Sequence, residues 1–375
     1  MHTPAHTGDT APLTCSIVIP ARGHGHLLPR LLDSVRDHAP GERVAEVFVV
    51  DDDSEPPLAP ALAAYAVCVL RLEPGQGPAA ARNHGAARAT GDVLLFLDAD
   101  VTLPAGCVEK ALCLLERHPE AEAVSFINQA YEAGDGLVAN YGAAIEHFWF
   151  TTATGADDYA PFHGFTTRNG AVRRSMFEAL GGFDTTYSTN AMEDYEFGKR
   201  ISNTHTILLT RSPHPDHRFP AQLGRLVRNY FVRAALYVGY YLRERPTLDK
   251  VQTSPEEART RMLAGVGLGL LGLGLLGLGL LGFGLVGWAV PASVAPAAMW
   301  LSSAVALSGV VVLAAFYYRT RRFLYAAYAY SGRSIPFVVG CAALHLLASL
   351  AILAGGLWGL ARHVGTALRT SAGSP

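Results

Sequence analysis

Between residues 14 and 128 short apolar runs alternate with stretches of helical spacing. Thr14–Pro20, Val44–Val50 and, more weakly, Val67–Leu72 read as strands, and Val93–Leu97 is an unbroken apolar run, the pattern of a strand buried on both faces. Between them Leu27, Leu28, Leu31, Leu32 and Val35 recur at helical spacing, and Pro78–Thr90 is an alanine-rich helical stretch opened by Gly75 and Gly77. A helix of uncertain extent follows Pro56, Pro57 and Pro60. The order β-α-β-α-β-α-β predicts an α/β fold with an open, mostly parallel sheet flanked by helices. Pro104–His118 continues it as a helix, Ala121–Asn128 as a strand, and Leu137–Phe150 as an aromatic-rich amphipathic helix.

The texture then changes. Leu223, Leu226, Val227, Tyr230, Phe231, Ala234, Tyr237, Val238 and Tyr241 form one apolar side of a helix whose other faces carry Arg225, Arg228 and Arg233. Ahead of a membrane span such a segment predicts an interfacial helix; a last helix packed on the sheet is the alternative. Met262–Val290 runs 29 residues without a charge, Val294–Tyr318 runs 25 and Ser334–Ala361 runs 28. Each exceeds the roughly 20 residues that cross a hydrocarbon core. The expected organisation is a flexible tail (1–13), a catalytic domain (14–220), an interfacial helix and linker (221–261), three transmembrane helices (about 262–290, 296–318 and 335–361) and a tail (362–375). The first span repeats glycine and leucine. Glycines at such spacing permit close helix contact, and a slippage-expanded repeat with no further role is the other explanation. His345, mid-span without an ionisable partner, is expected to pack or hydrogen-bond rather than relay protons.

Charge fixes an expected orientation. Arg243, Arg245, Arg259 and Arg261 precede the first span, and Arg319, Arg321, Arg322 and Arg333 separate the second and third. The excess of arginine on one side places both segments, and the catalytic domain, in the cytoplasm. The polar N-terminus lacks the apolar core of a signal peptide, which agrees. The formal net charge of −2 offers no nucleic-acid surface. The five cysteines show no metal-ligand spacing.

Chemistry concentrates where strands end. The fourth strand closes on Asp98–Ala99–Asp100, at the edge of the sheet where α/β ligands bind. Two acids so close need a positive partner, and a divalent cation carrying a diphosphate supplies one; a solvated turn is the bland alternative. Asp52, ending the second strand, is placed to meet a nucleoside. Arg82 precedes the acidic strand, to contact phosphate, to pin the acids or to form a helix–sheet ion pair. Asp194, in the first turn of a helix beginning near Glu193, is a candidate general base or a helix-cap acid. The first loop, Ala21–Arg22–Gly23–His24–Gly25–His26, lacks the dinucleotide glycine fingerprint, and no Walker-type run occurs.

These blocks together resemble the family 2 glycosyltransferases of GT-A fold, specifically their membrane-anchored bacterial members. Ser16–Pro20 resembles the opening strand, Val49–Ser54 the Val-Asp-Asp-Gly-Ser motif, and Gly77–Gly85 the glycine–arginine–asparagine segment. Phe96–Asp100 resembles the metal-binding Asp-x-Asp; Gly181–Asp184 and Glu193–Asp194 resemble the acceptor-side blocks. The resemblance spans about residues 14–220. It implies donor contacts from Pro20, Asp52, Asp53, Arg82, Asp98 and Asp100, a divalent metal (Mg or Mn) at Asp98 and Asp100 with His217 nearby, and catalysis from Glu193–Asp194 with Asp194 as base. His214 is a second candidate near the diphosphate. It further implies an inverting enzyme moving one sugar from a nucleotide diphosphate-sugar to a lipid-linked or other membrane-proximal acceptor, at the bacterial inner membrane. Asp53 stands where the family has glycine, and the first loop departs from its Thr-Tyr-Asn. No Gln-x-x-Arg-Trp follows Asp194, which argues against a processive synthase. A nucleotidyltransferase using the same acids and a non-catalytic membrane scaffold are the competing functions.

Overall fold

Strands β1 (Cys15–Ala21), β2 (Val44–Asp52), β3 (Cys68–Leu72) and β4 (Val93–Leu97) form where the apolar runs predict them. In this computed structural model, which describes residues 11–23, 25–39, 41–132, 134–187, 192–244, 255–287 and 293–372, they pair in parallel in the order β3-β2-β1-β4. Residues 1–10 of the expected tail, His24, and residues 245–254 of the expected linker lie outside the described residues. Helices α1 (Leu28–His38) and α2 (Pro78–Ala86) serve as crossovers. Ahead of β3 there is a single 3₁₀ turn, Pro60–Leu62, in place of a longer helix. Pro56, Pro57 and Pro60 have no backbone N–H to donate to one.

The chain continues through β5 (Val101–Thr102), α3 (Cys107–Arg117), β6 (Ala121–Phe126), α4 (Leu137–Thr154), β7 (Tyr159–Phe162), β8 (Asn169–Arg173), α5 (Arg174–Ala179), α6 (Glu193–Ser202), β9 (Thr206–Thr210) and β10 (Asp216–His217). These complete an eight-stranded sheet, β3-β2-β1-β4-β8-β6-β9-β7. Strand β8 runs antiparallel to both β4 and β6, so its first residue, Asn169, pairs with Leu97 at the carboxyl end of β4. A separate two-stranded ribbon pairs β5 with β10. Alternate residues of β1 and β4 feed opposite faces. Ile17, Ile19, Leu95 and Leu97 pack with α1 and α3 residues such as Leu31 and Leu112. Val18, Leu94 and Phe96 pack with Phe165, Phe177, Phe183 and Phe197. Each such side chain contributes on the order of 2 kcal/mol by burial.

The chain divides into two units, residues 1–129 with 150–218, and 130–149 with 219–375. The second contains the first part of α4 with α7 (Leu223–Glu244), α8 (Pro255–Gly287), α9 (Ala295–Tyr330) and α10 (Ile335–Ala372). Residues 130–149, within the expected 14–220 domain, fall in this second unit, where Tyr141 and Ile145 are buried with Phe323, Phe337 and Leu344. Three helices, α8 to α10, are long and apolar enough to cross a membrane. Two extend beyond their expected apolar spans. Helix α9 continues through the arginines to Tyr330: Arg321 lies over the Tyr318 ring at 3.8 Å and Arg319 donates to Thr260 Oγ1 on α8. Helix α10 continues to Ala372.

The glycine repeat of α8 is used on one side. A Cβ at Gly267, Gly274 or Gly277 would collide with Leu313, Ala306 or Ser302 of α9, whereas Gly269, Gly272 and Gly279 face open space. Close antiparallel contact with α9 therefore accounts for half of these glycines. His345 hydrogen-bonds Tyr141 Oη through Nδ1 at 3.1 Å and stacks on Phe316, a packing role as expected.

Candidate active site

Parallel strands deliver their carboxyl ends to one edge, which gathers Pro20, the Asp51–Asp53 run and Asp98. The first acid of that run builds the loop. Asp51 accepts from Ser54 N, Leu58 N and Arg71 Nη1 at 2.8–3.0 Å. Burial favours its protonated form, but these donors outweigh burial and hold its carboxyl below the usual range. Asp52 is buried and accepts from Gln76 N at 2.7 Å and Gly77 N at 2.9 Å. Its carboxylate thus braces the loop that opens α2, where Gly77 adopts φ +91°, a conformation suited to glycine. Asp53 adopts φ +63°, the left-handed region a glycine would occupy there, and its added charge faces Arg71 at 3.4 Å. The turn is kept although the residue differs. Pro20 pairs with Val50 and is half-buried.

Arg82 joins the remaining blocks. Its guanidinium is fully buried, donating from Nη2 to Asp98 Oδ1 at 2.6 Å and from Nη1 to Glu193 Oε1 at 3.0 Å. It also lies over the Phe183 ring at 5.9 Å. Burial opposes its charge, and the two carboxylates overcome that opposition. The next residue, Asn83, donates to Phe183 O at 2.8 Å and accepts from Phe183 N at 2.9 Å. One turn of α2 thereby holds the strand-end acid, the Gly182–Phe183 turn and the start of α6. Helix α2 itself seats closely on β1 and β2, since a Cβ at Gly85 would meet Val18 at 2.6 Å.

Asp100 and His217 meet through the small ribbon. Val101 pairs with His217, which brings His217 Nε2 to 3.6 Å from Asp100 Oδ1. The other ring nitrogen, Nδ1, lies 3.4 Å from Arg168 Nη1. Arg168 precedes β8, and its carbonyl accepts from Asp98 N at 3.2 Å. Nothing in the residues around Arg168 predicts a role for it. Only the antiparallel insertion of β8 beside β4 brings it to this edge. His214, the second candidate histidine, is instead bonded through Nδ1 to Ile127 O at 3.0 Å.

Glu193 and Asp194 occupy the first turn of α6 but face different surroundings. Glu193 is buried against Arg82, its other oxygen accepting from Met192 N at 3.2 Å. Burial, and then Asp194, push its carboxyl above the usual range. Asp194 is half-buried and accepts from Tyr195 N at 2.7 Å. Both belong to the expected catalytic block; Glu193 is engaged by Arg82, whereas Asp194 keeps partial exposure.

No group of three or more His, Cys, Asp or Glu among the described residues is arranged to hold a metal alone. The donor set nevertheless fits a hard divalent cation completed by substrate. Such ions commonly take one or two carboxylates and fill the remaining positions with phosphate oxygens and water. Burial, and then the Asp98 charge, push the Asp100 carboxyl up to about 6, with Arg168 and Arg218 opposing, so a bound cation would favour its ionised form.

That shift has a consequence for metal-free protein. The folded Asp100 binds its proton more tightly than the unfolded one, so ionised Asp100 costs stability as pH rises from about 4 to about 6, and fully above that. Asp100→Asn is expected to raise the thermal midpoint in EDTA at pH 8, with the gain vanishing at pH 4. Equal midpoints at both pH values would show that the carboxylate is not under electrostatic stress.

Residues 16–181 match the sequence family described as Glycosyl transferase family 2. An uncharacterized glycosyltransferase of Haemophilus influenzae is 30% identical over 190 residues, covering 48% of this chain and 60% of that protein. The pre-mycofactocin glycosyltransferase of Mycobacterium tuberculosis is 30% identical over 241 residues, 60% of this chain and 46% of its own length. Rat polypeptide N-acetylgalactosaminyltransferase 10 is 30% identical over 213 residues, 52% of this chain and 35% of its own. The chain thus spans 35–60% of these relatives' lengths. Among solved structures, a mannosyltransferase from Pyrobaculum calidifontis in complex with GDP-Man and Mn2+ superposes with a TM-score of 0.52 at 17% identity, over 93% of this chain and 90% of that one. It shows the same fold.

Proposed function

We propose that this chain, which carries a glycosyl transferase family 2 domain over residues 16–181, moves one sugar from a nucleotide diphosphate-sugar to a lipid-linked or membrane-proximal acceptor, with inversion. The observation that carries the reading is the Asp98–Arg82–Glu193 bridge. It ties the acids suited to a metal-bound diphosphate to the helix turn that presents Asp194. The relatives named glycosyltransferases support the activity.

In the proposed reaction a bond forms between the acceptor oxygen and the anomeric carbon while the bond from that carbon to the diphosphate breaks. The acceptor proton passes to Asp194. Asp98 and Asp100, with His217 alongside, would hold a divalent cation, which would supply charge neutralisation for the leaving diphosphate. Arg168, beside His217, adds positive charge on the same side. A single displacement needs no enzyme nucleophile. Pro20, Asp52 and Asp53 border the nucleoside end, with Asp52 acting through the Gln76–Gly77 loop it braces. The nucleotidyltransferase alternative needs a first loop free to grip a triphosphate, yet Gly23 N is committed to Ser54 Oγ at 2.9 Å.

The apolar helices support a multi-pass protein of the bacterial inner membrane. The Thr260–Arg319 hydrogen bond puts the basic ends of α8 and α9 at the same end of their hairpin, in keeping with a catalytic domain on the cytoplasmic side. Purified full-length protein in detergent, given a panel of nucleotide-sugars and extracted membrane lipid with and without EDTA, tests the proposal. Transfer of one sugar, abolished by EDTA and restored by Mg or Mn, is expected. Metal-independent transfer, or release of pyrophosphate from a nucleoside triphosphate, would overturn it.

A further inference from the structure

Helix α7 does not lie alone. A Cβ at Gly355 or Gly359 of α10 would collide with the backbone of Phe231 or Ala235, so the two helices touch backbone to backbone along this stretch and run in the same direction. Immediately N-terminal of that contact on both helices, Gly224, Ala351 and Ala354 are too small to fill the space. The result is an apolar groove of about 650 Å³ walled by side chains such as Val227, Phe231 and Leu350. One charged residue lines it, Arg228. Arg228 is exposed and has no ion-pair partner among the described residues, and neither has Arg225 one turn earlier. From Leu223 to Arg243 the helix carries four arginines and no acid.

An apolar channel ending at unpaired guanidinium groups complements a molecule with a hydrocarbon chain and an anionic head. On a chain with membrane-spanning helices, the bilayer supplies such molecules at high local concentration. We propose that this groove binds an anionic glycerophospholipid, one acyl chain lying between α7 and α10 and its phosphate held by Arg228, with Arg225 adding attraction. The bound lipid would complete the packing of α7 on α10. The proposal rests on the membrane reading of α10 and not on the sugar-transfer chemistry.

The test uses the full-length protein in detergent. Thermal midpoint and native mass spectrometry are followed while dioleoyl phosphatidylglycerol, dioleoyl phosphatidylcholine or inorganic phosphate is added. Phosphatidylglycerol is expected to raise the midpoint and remain bound, with phosphatidylcholine weaker by about five-fold, the worth of one basic group against an anionic lipid. Arg228→Gln should abolish that preference and Arg228→Lys should keep most of it. Ala354→Phe, which fills the groove and leaves the arginines in place, should remove the bound lipid. Equal binding of both lipids, an unchanged preference in Arg228→Gln, persistent lipid in Ala354→Phe, or the same effect from phosphate alone would overturn the proposal. Carbonate extraction of membranes distinguishes the two failures: release of the protein into the soluble fraction would defeat the membrane reading itself.

Discussion

Asp194→Asn is expected to lower sugar transfer by about 10²–10⁴-fold, the usual worth of a general base, while leaving donor and metal affinity near the parental values. The separation follows from where Asp194 sits. It shares the first turn of α6 with Glu193, but only Glu193 is engaged by Arg82. Asparagine keeps the shape of the side chain and an oxygen to accept from Tyr195 N, so the turn should survive. What it loses is the capacity to take a proton. Donor binding by titration calorimetry and transfer by product chromatography would therefore move apart, with kcat falling and the donor Kd unchanged. Transfer at the parental rate would show that another group, or the acceptor's own ionisation, does the work. Loss of donor binding would show that Asp194 belongs to the diphosphate site.

The parallel half of the sheet was legible because its strands are short β-favouring segments, β4 buried along its whole length. Val93–Leu97 was placed to the residue. In the other half only β6 was, near its predicted Ala121–Asn128. Strand β8 reads Asn-Gly-Ala-Val-Arg, with neither an apolar run nor alternation, and is a strand only because β4 and β6 flank it. That omission hid Arg168, which reaches the site through β8's position. The ribbon that presents His217 has two residues per strand, too few for any periodicity. Asp98, Asp100 and Asp194 were visible as acids at element ends. The roles of Asp52 and Glu193 were harder to see, because Asp52 spends both oxygens, and Glu193 one, on partners 24 to 111 residues away in the chain. Residue type identified the chemistry available; burial and partners decided which carboxylate is open to a ligand. Helix α9 runs past its expected apolar span because arginine continues a helix well, and here Arg321 finds a neighbouring ring and Arg319 a hydroxyl.

Arg82→Ala is expected to be among the most damaging single changes in the catalytic domain. The substitution leaves two carboxylates without the cation between them, and removing one partner of a buried pair costs about 3–5 kcal/mol. Asp98 is partly exposed and recovers some hydration, so most of the cost falls on Glu193, whose side chain is 3% exposed. For a domain of this size the thermal midpoint would fall by roughly 2–4 °C per kcal/mol. Glu193 already holds its proton more tightly than usual, through burial and Asp194, with Arg82 opposing. Without Arg82 that shift grows. Folded protein then binds more protons than unfolded, so the defect should be largest at pH 8 and shrink as pH falls toward the unfolded carboxyl's range. Arg82→Ala combined with Glu193→Gln should be more stable than Arg82→Ala alone, because the stranded charge is gone. Transfer should remain low in the double variant, since neither Asp98 nor the α6 turn is then held. A midpoint for Arg82→Ala within 2 °C of the parent, or a second substitution that only adds damage, would mean the bridge is not what joins the strand-end acids to α6.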